Sequence, residues 1–402
     1  MGDDSRGPER EAVVRRRGAA RWARGHPWIY RSDVRNEPQA AGPGVAIVRD
    51  EGGRYLGRAL YSPTSEIRLR LLERRDLAVD RDWWREKIAR AAARRRGIEA
   101  TAYRLVHAEA DGLPSLVVDR YGPYLVAELL SAGLEASRTD IVDVLSDLFA
   151  PTGILLRNDS PVRRYEALPR GVELVRGRVP EDVEVEEAGV RYLAAPWTGQ
   201  KTGAFLDQRE NRRLAGRLVA EAVETGMGPV RALDAFTYHG SFALHLAAAG
   251  ARVVAVDQSE PALERGRRNA VLGGLEGIEW VEANAFDFLR ERSDRGERFD
   301  FVVLDPPAFA RSKSSVAAAL RGYKEINLRA MSLLAPGGRL LTFSCSYHVG
   351  REPFLEMLAG AAGDAGRPLV LERILAQSRD HPDVLTIPET GYLKGALLRA
   401  DD

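Results

Sequence analysis

The amino-acid sequence predicts an α/β chain: a doubly wound parallel sheet in its carboxyl-terminal half, preceded by a small β-rich module and a small α+β domain. Three observations carry that expectation. From Gly189 onward, short runs of β-branched and large apolar residues alternate with helical stretches, the mark of a parallel sheet covered on both faces. The first four of these runs deliver a polar residue at or just past the end, Asp234, Asp257, Asn284 and Asp305, and open α/β sheets hold ligands beyond the carboxyl ends of their strands. Upstream, Gly44 to Leu72 has the short apolar runs and glycine turns of a β-rich unit. The segment boundaries fall at residues 1–75, 76–188 and 189–402.

At 402 residues the chain is too long for one ordinary domain, and 45% hydrophobic residues suffice for a sizeable core. The net charge is +1, so any nucleic-acid binding must come from local patches rather than bulk charge. One cysteine excludes an intramolecular disulfide and a multi-cysteine metal site, and no metal is expected. Such sparse cysteine usage fits a reducing cytosol. Asp3 and Asp4 head a start without an apolar leader, and no uninterrupted apolar run is long enough to span a bilayer. A soluble, cytoplasmic protein is expected.

From Ala12 to Val34, Arg15, Arg16, Arg17, Arg21 and Arg24 are spread among Trp22, His26, Trp28 and Tyr30. Such a segment can track a phosphate backbone while stacking bases, or it can be a solvated basic face over core tryptophans. The second segment starts with a helix through Trp83, Trp84 and Ile88, with Asp82 as its cap and Arg94, Arg95 and Arg96 stabilising its last turn before Gly97. Strands are predicted at 103–106, 115–118, 124–130 and 154–157 around a helix at 139–149, with Asp111-Gly112 and Tyr121-Gly122 as turns. His107, alone in an apolar run, reads as a core residue.

In the third segment Arg231 to Phe236 is the first strand, Thr237 to Ser241 its loop and Phe242 to Ala249 its helix. Arg252 to Val256 is the second strand and ends in Asp257; Ser259 starts the next helix. Glu279 to Glu282 is the third, with Asn284, Ala285 and Phe286 beyond it. The loop Asp234-Ala-Phe-Thr-Tyr-His-Gly240 has one glycine and is no G-x-G-x-x-G pyrophosphate cradle, which argues against a dehydrogenase. Adenosine joined to a charged amino-acid tail needs no such cradle, and S-adenosylmethionine is such a ligand. Asp234 is assigned to its ammonium, Asp257 to its ribose and Asn284 to its adenine amine. Phe236, Tyr238, Gly240, Gln258 and Ala285 complete the expected cofactor rim, whereas His239 reads as loop structure.

The fourth strand, Phe299 to Asp305, must stop at Pro306-Pro307, which cannot donate backbone hydrogen bonds. After a helix, Pro336-Gly337-Gly338 turns into the strand Arg339 to Phe343, which delivers Ser344-Cys345-Ser346. If those strands are parallel neighbours, Asp305 and Cys345 emerge on one rim. A buried thiol is usually a small apolar residue. A thiolate adding to carbon 6 of a pyrimidine would instead make carbon 5 nucleophilic, with Asp305 hydrogen-bonded to the base.

These residues resemble a known family, the RlmI group of class I S-adenosylmethionine-dependent methyltransferases, which make 5-methylcytosine in large-subunit (23S) ribosomal RNA. The resemblance covers nearly the whole chain and rests on His26-Pro27-Trp28, Tyr61-Ser62-Pro63, Glu109-Ala-Asp-Gly-Leu-Pro114, Lys201-Thr-Gly203, Leu206-Asp-Gln-Arg209, Leu304-Asp-Pro-Pro307, Arg321-Gly-Tyr-Lys324, Leu341-Thr-Phe-Ser-Cys-Ser346, Asp380-His-Pro382 and Tyr392-Leu-Lys-Gly395. It implies a PUA-like RNA-binding domain, a small α+β domain, and a Rossmann-like methyltransferase domain whose last strand is antiparallel. It also implies Cys345 as nucleophile, Gln208 as a cofactor contact, ribosomal RNA as partner and a homodimer. Three positions depart from the group: Ala308 where lysine is frequent, with Lys313 as a substitute; Thr237-Tyr-His-Gly240 in the first loop; and Asn284 where aspartate is common. Two alternatives stand beside this reading, an amino-nitrogen methyltransferase of the adenine type and an RNA-binding assembly factor without chemistry.

Overall fold

A computed structural model describes residues 10–39, 42–226, 229–310 and 312–401; of the first ten residues, expected from their polarity to be frayed, 1–9 lie outside the described ones. The chain divides into two units. The first comprises Met1–Val183 with Ala194–Leu206 and Asp380–Thr390, and the second comprises Glu184–Leu193, Asp207–Arg379 and Gly391–Asp402. The first sequence segment and the second up to Val183 therefore share one unit, which also takes two stretches of the third.

The first unit holds two sheets. Six strands between Glu11 and Glu73 form one, mostly antiparallel, around Trp22, Ile29, Leu69 and Tyr61. Trp22 is a core residue, whereas Arg15, Arg16, Arg17 and Arg24 are exposed. Arg21 and Arg17 face the buried Asp33 at 3.2 and 3.6 Å. Five strands between Ala102 and Gly177 form the other sheet, covered by the helices Arg81–Ala93 and Arg138–Phe149. Asp80, not Asp82, caps the first of these helices by accepting from Trp83 N at 3.0 Å, and Asp82 sits in its first turn. Arg95 is buried and does more than close the helix: it reaches Ala91 O, Arg104 O, Asp111 and Asp380 O. His107 is half-buried rather than core, 3.0 Å from Arg104 and edge-on to His381.

The second unit is built on a seven-stranded sheet. Its strands are β1 (Arg231–Ala235), β2 (Arg252–Asp257), β3 (Ile278–Glu282), β4 (Phe299–Leu304), β5 (Leu334–Ser344), β6 (Leu369–Leu375) and β7 (Lys394–Ala400). Their order is β3-β2-β1-β4-β5-β7-β6, parallel through β5, with β7 antiparallel to both β5 and β6. The chain reverses its direction of winding between β1 and β4, which opens a crevice at their carboxyl ends.

Strand β4 explains why the sequence there is apolar without alternation. Phe299, Val302 and Leu304 enter the core against the helices Ala285–Asp294, Val316–Ser332 and Arg351–Ala365. Phe301 and Val303 enter the opposite core with Phe242, Leu218 and Val219. A parallel strand covered on both faces reads as one continuous hydrophobic run. Strand β5 starts earlier than expected, at Leu334. Leu334 pairs with Phe299 and Arg339 with Phe301, so Pro336-Gly337-Gly338 is a bulge within the strand rather than a turn before it. Among the described residues no helix is long and apolar enough to cross a membrane.

Candidate active site

The loop after β1 is held in a conformation that few sequences tolerate. Phe236 and Tyr238 have φ of +66° and +52°, a region non-glycine residues seldom occupy and one that clusters at functional sites. Surrounding bonds fix it. Thr237 N donates to Val256 O at 3.0 Å, Tyr238 N to Asp257 Oδ2 at 2.9 Å, and Asn269 Nδ2 to His239 O at 3.1 Å. Gly240, at φ +84°, is needed for two reasons: its backbone is left-handed, and a Cβ there would lie 2.4 Å from the Trp280 ring. Trp280 fills the same gap from Gly266, where a Cβ would also come to 2.4 Å.

Asp234 is buried and accepts from Thr237 Oγ1 at 2.5 Å and Ala243 N at 2.9 Å, both through Oδ2. Burial, helped by the neighbouring charges of Asp305 and Asp257 and opposed by the bonds from Thr237 and Ala243, raises its carboxyl to about 7. Three acids therefore face one another at the ends of adjacent strands. Asp257 accepts Tyr238 N with one oxygen and Ser259 N, at 3.0 Å, with the other. Ser259 is the N-cap by position, yet its side chain makes no capping bond. Asn284 Oδ1 caps the next helix, accepting from Phe286 N at 2.9 Å, so the oxygen expected to meet adenine already has a backbone donor. Ala285 is buried as the first residue of that helix, and Gln258 is exposed. His239 is buried, stacks on Tyr192 at 5.7 Å, and is lowered by burial to about 4, in keeping with its reading as loop structure.

Strands β4 and β5 are parallel neighbours, and they bring their ends together. The Cys345 thiol is 3.9 Å from the carbonyl oxygen of Pro306, the residue after Asp305. Asp305 Oδ1 accepts from Gln208 Nε2 at 2.9 Å, and Gln208 Oε1 accepts from Asn211 Nδ2 at 2.6 Å. The two loops are also tied directly: Ser346 Oγ accepts from Ala310 N at 3.1 Å and lies 2.9 Å from the Tyr323 hydroxyl. Phe309 packs against Tyr323 at 4.5 Å and Phe286 at 5.7 Å, in a cluster that includes Phe236. Lys313 is exposed in the turn Lys313–Ser315.

Two residues of this rim carried no role in the sequence reading, although both lie in motifs quoted there. Tyr323 is fully buried, and the only signal for it was a tyrosine on the apolar face of a helix. Lys394 is buried at the start of β7 and donates to Ser346 O and Tyr392 O, each at 2.7 Å. A lysine opening an otherwise apolar strand is the trace it leaves in the sequence. A surface groove of about 400 Å³ lies at the amino ends of β1, β2 and β3, between Arg231, Arg252 and Glu279. That is the edge where open sheets do not bind ligands.

The family described as S-adenosylmethionine-dependent methyltransferase matches residues 161–399, and the one described as PUA-like domain matches residues 12–74. The Shewanella amazonensis protein named ribosomal RNA large subunit methyltransferase I is 41% identical over 94% of this chain and 96% of its own length. The Tolumonas auensis protein of the same name is 40% identical with the same coverage. The chain belongs to the RlmI methyltransferase family. Two solved structures share the RlmI architecture across the whole chain. A candidate methyltransferase in complex with SAH has a TM-score of 0.82 at 18% identity, covering 97% of this chain and 99% of its own. A candidate SAM-dependent methyltransferase from Streptococcus mutans has a TM-score of 0.80 at 18% identity and the same coverage.

S-adenosylmethionine is the cofactor of this family. It carries positive charge at its sulfonium and its ammonium, and the rim fits such a ligand. Asp234, Asp257 and Asp305 converge there, and their mutual repulsion is what a bound cation relieves.

Proposed function

We propose that this protein forms 5-methylcytosine in large-subunit ribosomal RNA, with Cys345 as the nucleophile. The observation that carries the reading is the position of the protein's one cysteine, 3.9 Å from the Pro306 carbonyl at the rim where β4 and β5 end side by side. Its relatives named ribosomal RNA large subunit methyltransferase I and the PUA-like match over residues 12–74 support RNA as the substrate. The exposed Arg15, Arg16, Arg17 and Arg24 give that segment the charge to follow a phosphate backbone.

S-adenosylmethionine, when bound, supplies an electrophilic methyl group. Asp234 Oδ1, which takes neither of the two loop bonds, is assigned to its ammonium, and Asp257 to its ribose hydroxyls. Gln208, Phe236, Tyr238, Gly240, Gln258, Asn284, Ala285 and Asp305 complete the assigned contacts. The cytosine is flipped out of its RNA to reach Cys345. The thiolate forms a bond to carbon 6, and the pair from the carbon 5–carbon 6 double bond makes carbon 5 nucleophilic. Asp305 hydrogen-bonds the base and stabilises the adduct. After methylation a base takes the carbon 5 proton, and the electron pair of that C–H bond restores the double bond and expels the sulfur as thiolate.

Amino-nitrogen methylation is the weaker reading. Phe309, the aromatic available near Asp305-Pro306-Pro307 to clamp an adenine, is turned into the cluster with Tyr323, Phe286 and Phe236. A homodimer in the cytoplasm belongs to the same proposal, and light scattering measures the first part of it. The direct test is methyl transfer from labelled cofactor to ribosomal RNA, with nucleoside mass spectrometry of the product. The expected result is 5-methylcytosine from the wild type and none from Cys345→Ala; undiminished methylation by that variant overturns the proposal.

A further inference from the structure

Lys394 is 5% exposed, and its ammonium sits among main-chain atoms beside the cysteine. Its backbone pairs with Ser344 across β5 and β7, and its Nζ donates to Ser346 O, so it engages the residues on both sides of Cys345. The second acceptor, Tyr392 O, fixes the direction of the side chain. Both partners are carbonyls, which carry partial rather than full negative charge. Among the described residues no carboxylate forms an ion pair with this lysine. A buried cation with only dipoles around it is costly, and a nearby anion relieves that cost.

We propose that Lys394 is a positioning residue that holds Cys345 as a thiolate, pairing its buried ammonium with the half-buried sulfur at the ends of β5 and β7. The inference rests on Cys345 being the nucleophile and adds what activates it. A thiol becomes a strong nucleophile only on losing its proton, and a neighbouring cation favours that loss. Burial lowers Lys394, the charge of Cys345 opposes that, and the balance is about 8, so the two groups sense each other. The other titratable groups placed at this rim are Tyr323 and the three acids Asp234, Asp257 and Asp305. Burial raises the Tyr323 hydroxyl, which stays neutral, and a carboxyl cannot supply positive charge; Lys394 is left as the cation. In the ionisation the sulfur keeps the electron pair of its S–H bond and the proton passes to water.

Cys345 is the only cysteine, so iodoacetamide alkylation of the intact, ligand-free protein reads this thiol alone. Its rate against pH is compared between the wild type and Lys394→Gln, which keeps an N–H donor for the carbonyls but loses the charge. The expected apparent thiol pKa is roughly one to two units higher in the variant. Equal titration curves in two folded proteins overturn the proposal. If Lys394→Gln does not fold, the wild type decides alone: a thiol titrating at or above the ordinary value of about 8.5 overturns it. The readout involves neither RNA nor cofactor. Undiminished methylation by Cys345→Ala would overturn the nucleophile reading and leave the wild-type alkylation curve as it is, so the two failures are told apart.

Discussion

Gln208 holds Asp305 by a 2.9 Å hydrogen bond while its own carbonyl oxygen is held by Asn211 at 2.6 Å. The second bond fixes which end of the amide faces the carboxylate. Asp305 is thereby oriented by a residue that precedes the first strand of the sheet and is far from it in sequence. A hydrogen bond to a charged group contributes about 1.5–3 kcal/mol. Gln208→Ala is therefore expected to lower kcat/KM for methyl transfer roughly ten- to hundredfold. Activity within twofold of wild type would show that Asp305 needs no such support.

Tyr323 ties together the loops that follow β4 and β5. Its hydroxyl lies 2.9 Å from Ser346 Oγ and accepts from Phe309 N at 3.4 Å. Tyr323→Phe keeps the ring against Phe309 and removes only the hydroxyl. The expected cost is about 1–2 kcal/mol of stability, read in urea, with a larger fractional loss in kcat than in cofactor affinity. Calorimetry showing that cofactor binding suffers as much as turnover would count against a role confined to the Cys345 loop.

Trp280 separates two glycines that are needed for different reasons. Gly240→Ala and Gly266→Ala each bring a methyl to 2.4 Å from its ring, and each is expected to cost about 1–3 kcal/mol from overpacking. Removing the ring should relieve only one of them. In a Trp280→Ala background Gly266→Ala becomes nearly neutral, whereas Gly240→Ala stays destabilising because of its φ of +84°. Thermal unfolding of the double variants checks this; equal rescue at both sites would contradict it.

The Asp234 carboxyl gives a pH dependence of defined sign. Burial moves it from 3.8 to about 7 in the folded protein, so the folded state keeps a proton that the unfolded chain releases. Its stabilising contribution is full below 3.8 and is lost as pH rises through about 7. Asp234→Asn keeps an acceptor for Thr237 and Ala243 without the titration. The Tm difference between wild type and variant is expected to shift against the wild type between pH 4 and pH 8. A constant difference would show that Asp234 does not titrate there.

The parallel sheet was readable because its central strands are buried on both faces, which leaves an unbroken apolar run such as Phe299 to Leu304 followed by two prolines. The carboxyl-end acids were readable because strand ends are marked by that loss of hydrophobicity. What escaped depends on distant partners. Asp80 and Asp82 are equally good caps by composition, and the backbone geometry at Asp80 decides between them. Asn284 looks like a free acceptor until its helix is built and claims the oxygen. Arg95 reads as a helix-end charge, yet its bonds to Arg104 and Asp380 form only in the folded chain. Lys394 is the clearest case: some fifty residues after Cys345, it comes beside that residue only because β7 runs antiparallel to β5.

The covalent role of Cys345 is best tested by trapping it. In an RNA whose target cytosine carries fluorine at carbon 5, the proton whose loss expels the sulfur is missing, so the adduct persists after methylation. With cofactor present, the wild-type protein is expected to migrate with the RNA as one band on a denaturing gel, and Cys345→Ser is expected to give none. A wild-type protein that methylates unmodified RNA but leaves no denaturant-stable complex with the fluorinated one would contradict the account.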